Sequence, residues 1–224
     1  MGGRGSSSGA GGGSGSGSKK FSGANAQGQA RVFYDKTQEF AGMSMHEFEN
    51  AIRSRSHEYI GGFDANGKLI VAGTSRNNGS VVVPTGHPEF GKITTLTHNH
   101  PSDSKRPLGG TLSEADVKIL GRYGNLNSMR AVASGRGEHS YIMQQSSGKI
   151  ANRAGLMSAA TSAERSGQLA RMGQTAVAKF QKSVGRPLTE AETNRAYIGG
   201  MKNAWNTVAR QNGFDYIRLK KAPW

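Results

Sequence analysis

Two histidines one residue apart, His98 and His100, followed by Pro101 and then by Ser113-Glu114-Ala115-Asp116, constrain the fold more than any other stretch. Side chains at i and i+2 of a β-strand share a face. The β-branched run Lys92–Thr97 leads into His98, so both imidazoles leave the end of a strand on one side. Pro101 stiffens the exit, and Asn99 points the other way, where it supports the turn. Ser113 reads as the N-cap of a helix from Glu114 to about Tyr123, with Val117 and Leu120 on its apolar side. Asp116 sits on the first turn, three positions after Ser113 and on its face. A fold that uses all of these must return a helix N-terminus to the end of a strand. Imidazole and carboxylate suit zinc, and three protein ligands with an open position mark a catalytic rather than a structural site. The chain has no cysteine. Thiolate ligands, disulfides and a cysteine nucleophile are thereby excluded, so any metal site must use His, Asp or Glu, and His98, His100 and Asp116 are the candidate ligands.

The flanking patterns predict three regions. Residues 1–30 are Gly/Ser-rich with almost no large apolar side chain, which predicts a disordered tail. Residues 31–150 read as a mixed α/β domain. Ser44 and Glu47 form a capping box for a helix from about Met45 to Ser54, with Met45, Phe48 and Ile52 at helical spacing. Glu58–Phe63, Lys68–Gly73 and Ser80–Pro84 read as strands, the first two joined by the turn cluster Asp64-Ala65-Asn66-Gly67. Met129–Ser134 and Ser140–Met143 follow the Glu114 helix as further strands. Residues 151–224 read as a basic helical extension. One helix runs from about Ala159 to Ser183 and stops at Gly185-Arg186-Pro187. A second is opened by the capping box Thr189–Glu192 and stopped near Gly213, and Phe214–Leu219 is a final strand or an extended tail.

A zinc ion lowers the pKa of a water it holds to roughly 7, and a nearby carboxylate can take the proton and pass it to a leaving amine. Glu58 is the candidate base, because it begins the strand expected beside the one carrying the histidines. Glu39, Glu47 and Glu49 are the alternatives, placed on or before a helix. Ser113 is a candidate donor to the oxyanion on a scissile carbonyl, a role that competes with helix capping. His57, His87 and His139 read as surface or core residues, and Met143, Met157, Met172 and Met201 as packing.

Taken together, Glu58 before a Gly-rich strand, His98-x-His100-Pro101 and Ser113-x-x-Asp116 resemble the JAMM motif of the JAB/MPN metalloprotease superfamily. The His-Asn-His-Pro-Ser wording resembles its bacterial, phage and RadC-like branches. The resemblance covers about residues 57–145. It implies a JAB/MPN-like mixed curved sheet flanked by helices, zinc on the two histidines and the aspartate, Glu58 as acid/base and Ser113 as stabiliser of the intermediate. It also implies a peptide or protein substrate, with isopeptide bonds near ubiquitin-like C-termini the typical target, as in a deubiquitinase-like isopeptidase. Fifteen residues separate His100 from Asp116 where the family usually has ten. The surplus falls in Asp103–Thr111 and reads as a longer loop over the site. The RadC resemblance offers the alternative of a catalytically weak or inactive binding module. The Gly-rich start and basic tail resemble small proteins of phages and mobile elements, which offers a structural or maturation protein as a third reading.

Net charge is +14, and residues 151–224 hold twelve basic and four acidic side chains. Such a surface attracts polyanions, nucleic acid above all. Arg165, Arg171, Lys179, Lys182, Arg195, Lys202 and Arg210 are the candidate contacts. No apolar run approaches a membrane span and the N-terminus lacks the apolar core of a signal peptide, so a soluble, cytoplasmic protein without a membrane partner is expected.

Overall fold

The computed structural model describes residues 19–76, 82–101, 110–133 and 139–220, which form eight strands and five α-helices. The strands are β1 (Lys20–Ala24), β2 (Ala30–Asp35), β3 (Tyr59–Phe63), β4 (Leu69–Thr74), β5 (Thr95–His100), β6 (Ser128–Ala133), β7 (His139–Gln145) and β8 (Phe214–Lys220). The helices are α1 (Met45–Arg53), α2 (Glu114–Arg122), α3 (Arg153–Ser166), α4 (Gln168–Val184) and α5 (Glu190–Gln211). All strands join one sheet, in the order β1-β2-β4-β3-β5-β6-β7-β8. Every neighbouring pair is antiparallel except β5 and β6.

That single parallel pair positions the site. Parallel neighbours cannot be joined by a tight turn and need a long crossover. Here the crossover contains α2, which is thereby laid on one face of the sheet with its N-terminus beside the outgoing end of β5. Leu96 of β5 and Met129, Ala131 and Ala133 of β6 point to this face, in one buried cluster with Leu112, Val117, Leu120, Leu156 and Trp205. The opposite face packs on α1 through Phe40, Phe48, Ile52, Phe63, Ala72 and Val132. Two glycines of β3 let both layers close in. A Cβ on Gly61 would lie 2.6 Å from the Phe48 ring, and one on Gly62 would lie 2.6 Å from Ile93.

Several expectations need correction. The disordered tail cannot extend to residue 30, because Lys20–Ala24 is a strand paired along its length with β2, and Ala24 also bridges to Val83. Residues 1–18 lie outside the described residues. Of the expected strand Ser80–Pro84, residues 80 and 81 also lie outside them, and Val83 forms only that isolated bridge. The helix expected from Ala159 begins at Arg153, capped by Asn152, and is split by Gly167 at φ 62°, a left-handed conformation that ends α3 and starts α4. The division at residue 150 does not separate two packing units. β8 pairs with β7 over seven residues, and Trp205 of α5 donates from Nε1 to Leu112 O at 2.9 Å.

Candidate metal centre

The β-strand period divides β5 between the two faces. Leu96, His98 and His100 look toward α2, and Thr97 and Asn99 look toward α1 and the strand that follows it. The paired capping box at the start of α2 fixes the third ligand. Ser113 N and Oγ both donate to Asp116 Oδ2, at 2.7 and 2.8 Å, while Asp116 N donates back to Ser113 Oγ at 3.3 Å. Asp116 takes the place usually held by Glu or Gln in such a box, and its shorter side chain keeps the carboxylate close to the helix end. Its charge there is favoured by the helix dipole.

His98, His100 and Asp116 each offer a ligand atom, all within 4.8 Å of one another, and could hold a metal ion. The two Nε2 atoms are 2.9 Å apart, His98 Nε2 lies 3.2 Å from Asp116 Oδ1, and His100 Nε2 lies 3.5 Å from Asp116 Oδ2. Ligand atoms about 2.0–2.1 Å from a tetrahedral ion would be about 3.3–3.4 Å from each other. The triangle fits. Gly110 O lies 3.3 Å from His100 Nδ1. As a carbonyl it can only accept, so it places a hydrogen on Nδ1 and leaves the Nε2 lone pair for a metal, the usual second contact of a ligating histidine. His98 Nδ1 is buried with no hydrogen-bond partner among the described residues.

The electrostatics of the cluster are those of a cation site. Burial works against a charge on His100. The hydrogen bond to Asp116, the Asp116 charge and the Glu58 charge outweigh it and hold the imidazole above its ordinary pKa. Burial likewise raises Asp116, but the His98 charge and the hydrogen bonds with His100 and His98 hold its carboxyl well below the ordinary range.

Glu58 precedes β3. Ile60 lies opposite His98 in the antiparallel β3–β5 ladder. Continuing that register by one more same-face step sets Glu58 opposite His100, in agreement with its charge acting on that ring. The other glutamates are engaged elsewhere. Glu39 pairs with Arg55 at the surface. Glu47 closes the α1 capping box, where hydrogen bonds from Ser44 hold its carboxyl below the usual range. Glu49 is buried on the α1 face, accepting from Arg130 Nε and Nη2 at 2.5 and 3.1 Å and from Thr97 Oγ1 at 3.0 Å. Ser113 is the N-cap, and its one hydroxyl hydrogen points to Asp116. The extra loop falls mainly on residues 102–109, outside the described residues.

Three residues outside the ligand set hold its surroundings in place. Asn99, fully buried, accepts from Tyr59 N at 2.6 Å and donates to Arg55 O and His57 O at 3.2 and 3.0 Å. It grips the chain on both sides of Glu58. Trp205 holds Leu112, and Tyr216 of β8 hydrogen-bonds through its hydroxyl to Thr111 Oγ1. Those two bonds secure the approach to Ser113 from the far end of the chain. The Asn99 position carried a signal, since it is the polar residue of wrong parity inside His-x-His. The partners of Trp205 and Tyr216, about a hundred positions away, carried none.

No helix among the described residues is long and apolar enough to cross a membrane. Scans of protein-family models, curated proteins and solved structures find no match to this chain.

Proposed function

We propose that this chain is a zinc-dependent metallopeptidase of the JAMM type, hydrolysing a peptide or isopeptide bond. The observation that carries the reading is the convergence of His98 Nε2, His100 Nε2 and the Asp116 carboxylate, with the charge of Glu58 acting on His100. The order around it, a strand bearing the histidines and then a helix bearing Ser-x-x-Asp on a mixed sheet, supports the reading.

His98, His100 and Asp116 would hold the ion, which when bound supplies an acidified water and polarises the substrate carbonyl. Glu58 takes a proton from the attacking water on its carboxylate and returns it to the departing nitrogen, so that the amine leaves neutral. Asn99 keeps the backbone around Glu58 in place while that proton moves. Ser113 aims Asp116. To donate to an oxyanion as well, its hydroxyl must first leave Asp116 Oδ2. Substrates resembling ubiquitin-like C-termini are the class to try first.

Purified protein is expected to contain about one equivalent of zinc by elemental analysis, and a His98→Ala, His100→Ala double variant should contain none. Glu58→Gln should keep the zinc and lose cleavage of isopeptide-linked diubiquitin or of a mixed peptide library. Stoichiometric zinc in the double variant would sink the site assignment. A zinc-loaded wild type that cleaves neither probe would leave a metal-binding module in place of an enzyme.

A further inference from the structure

Five glutamates among the described residues are committed to particular cations. Glu39 pairs with Arg55, Glu89 with Lys92, Glu49 with Arg130, Glu164 with Lys118 and Glu192 with Arg186. Between Arg165 and Thr189 the sequence contains no Asp or Glu and five basic residues, Arg165, Arg171, Lys179, Lys182 and Arg186. This acid-free stretch contains the whole of α4. At 3.6 residues per turn, Arg171, Lys179 and Lys182 fall within an arc of about 80°. All three are exposed, and none is in an ion pair among the described residues. Gln168 and Thr175 share the arc, so the row is interrupted by no large apolar side chain. From Arg171 to Lys182 it extends about 17 Å, roughly five phosphates of one nucleic-acid strand at about 3.4 Å each. At its end a cavity of about 490 Å³ is lined by Gln181, Lys182, Gly185, Arg186 and Pro187. Arg186 is held there by two hydrogen bonds to Glu192, at 2.8 and 3.0 Å.

The rest of α4 is already used. A Cβ on Gly173 would lie 2.5 Å from the Tyr197 ring, and one on Gly200 would lie 2.5 Å from Met172 O, so α4 and α5 are in close backbone contact. Phe180 and Val184, 37% and 38% exposed, lie on the α5 side of the helix and not in the row. A helix lying on a membrane needs its apolar face free, and that of α4 packs toward α5, with only Phe180 and Val184 partly exposed. A protein partner would need buried aromatic or apolar anchors, which the row lacks. A phosphate backbone needs only cations and hydrogen-bond donors.

We propose that the outward face of α4 is a docking surface for the phosphate backbone of nucleic acid, engaged through Arg171, Lys179 and Lys182 without regard to base sequence. The inference is independent of the metal centre. It is tested by fluorescence anisotropy with a 30-base-pair duplex of arbitrary sequence and the full chain, titrated over a range of KCl. Wild type should bind with a steep salt dependence. Lys179→Glu with Lys182→Glu should weaken binding at least tenfold at 0.1 M KCl and flatten the log–log salt slope by about 2, since each phosphate contact contributes roughly 0.9. A control with the same charge change on exposed lysines elsewhere, Lys68→Glu with Lys149→Glu, should change affinity less than threefold. Unchanged zinc content and circular dichroism would show that both variants fold. The proposal is overturned by absence of duplex binding, by equal losses in the α4 variant and the control, by a larger loss from Arg195→Glu with Lys202→Glu on α5, or by binding to phosphatidylserine vesicles in place of duplex.

Discussion

The two sides of β5 are built from the same six residues and do opposite things. On the α2 side, His98 and His100 crowd two ring nitrogens against a carboxylate, an arrangement that could hold a metal ion. On the other side Thr97 bonds Glu49, Glu49 holds Arg130, and Asn99 spends its amide on three backbone partners. One face is prepared for something from outside, and the other is closed. A strand can carry both because adjacent residues cannot interfere across the sheet. Replacing either kind of residue should therefore give separable losses, metal on one side and stability or positioning on the other.

Acidification should have the most severe effect, because it protonates the ligands themselves. His100 is held above its ordinary value of 6.5 by Asp116 and Glu58, so protons should displace zinc at a pH higher than an isolated imidazole would require. In the metal-free protein the signs differ. The raised His100 contributes stability below about pH 6.5 that is lost as pH rises through its folded pKa. The lowered Asp116 contributes stability above its ordinary 3.8 that is lost as pH falls through its own. Thermal melts of chelated protein should peak between those two values, while zinc should add most stability on the alkaline side. A melting profile that is identical with and without zinc across this range would break the comparison.

On the closed face, Glu49→Ala should cost about 3–5 kcal/mol, since it strands the Arg130 guanidinium beside a buried strand, yet zinc stoichiometry in the folded fraction should stay at wild type. Denaturant unfolding and metal analysis on one sample decide it. Asn99→Ala is smaller, about 1–3 kcal/mol for partners left without bonds. Its mark should be a fall in kcat with KM and zinc content little changed, because the segment around Glu58 loosens while the ligands do not. Ser113→Ala, at the seam between the two functions, should cost about 1 kcal/mol as a lost cap and weaken zinc about tenfold by freeing the Asp116 carboxylate. Zinc affinity equal to wild type there would show that capping and metal positioning are uncoupled.

The parity of His98 and His100 and the offset of Asp116 from a cap are local, and both could be read from residue order. So could α1, α2 and α5, each opened by a capping box or N-cap that forms in the structure. The elements that residue order does not reveal depend on distant partners. Lys20–Ala24 is a strand because β2 and Val83 lie beside it, although its composition continues the Gly/Ser run before it. Gly167 looked like one more glycine within a helical pattern, and only its left-handed φ makes it the end of α3. Glu49 looked like a rival base until Arg130, 81 positions away, claimed it. Glu58 could be chosen from order alone only by assuming that its strand lies beside β5; the ladder between them supplies that neighbour.

The bonds from Trp205 to Leu112 and from Tyr216 to Thr111 also set a timetable. Asp116 leaves the ribosome about a hundred residues before β8 does, an interval of roughly 5–20 s at ordinary rates of synthesis. During that interval the ligands exist, but the segment that delivers Asp116 lacks the bonds that hold Thr111 and Leu112. The centre is therefore closed late, by the part of the chain with no ligand in it, and a nascent chain stalled before Lys220 should carry all three ligands and hold metal poorly.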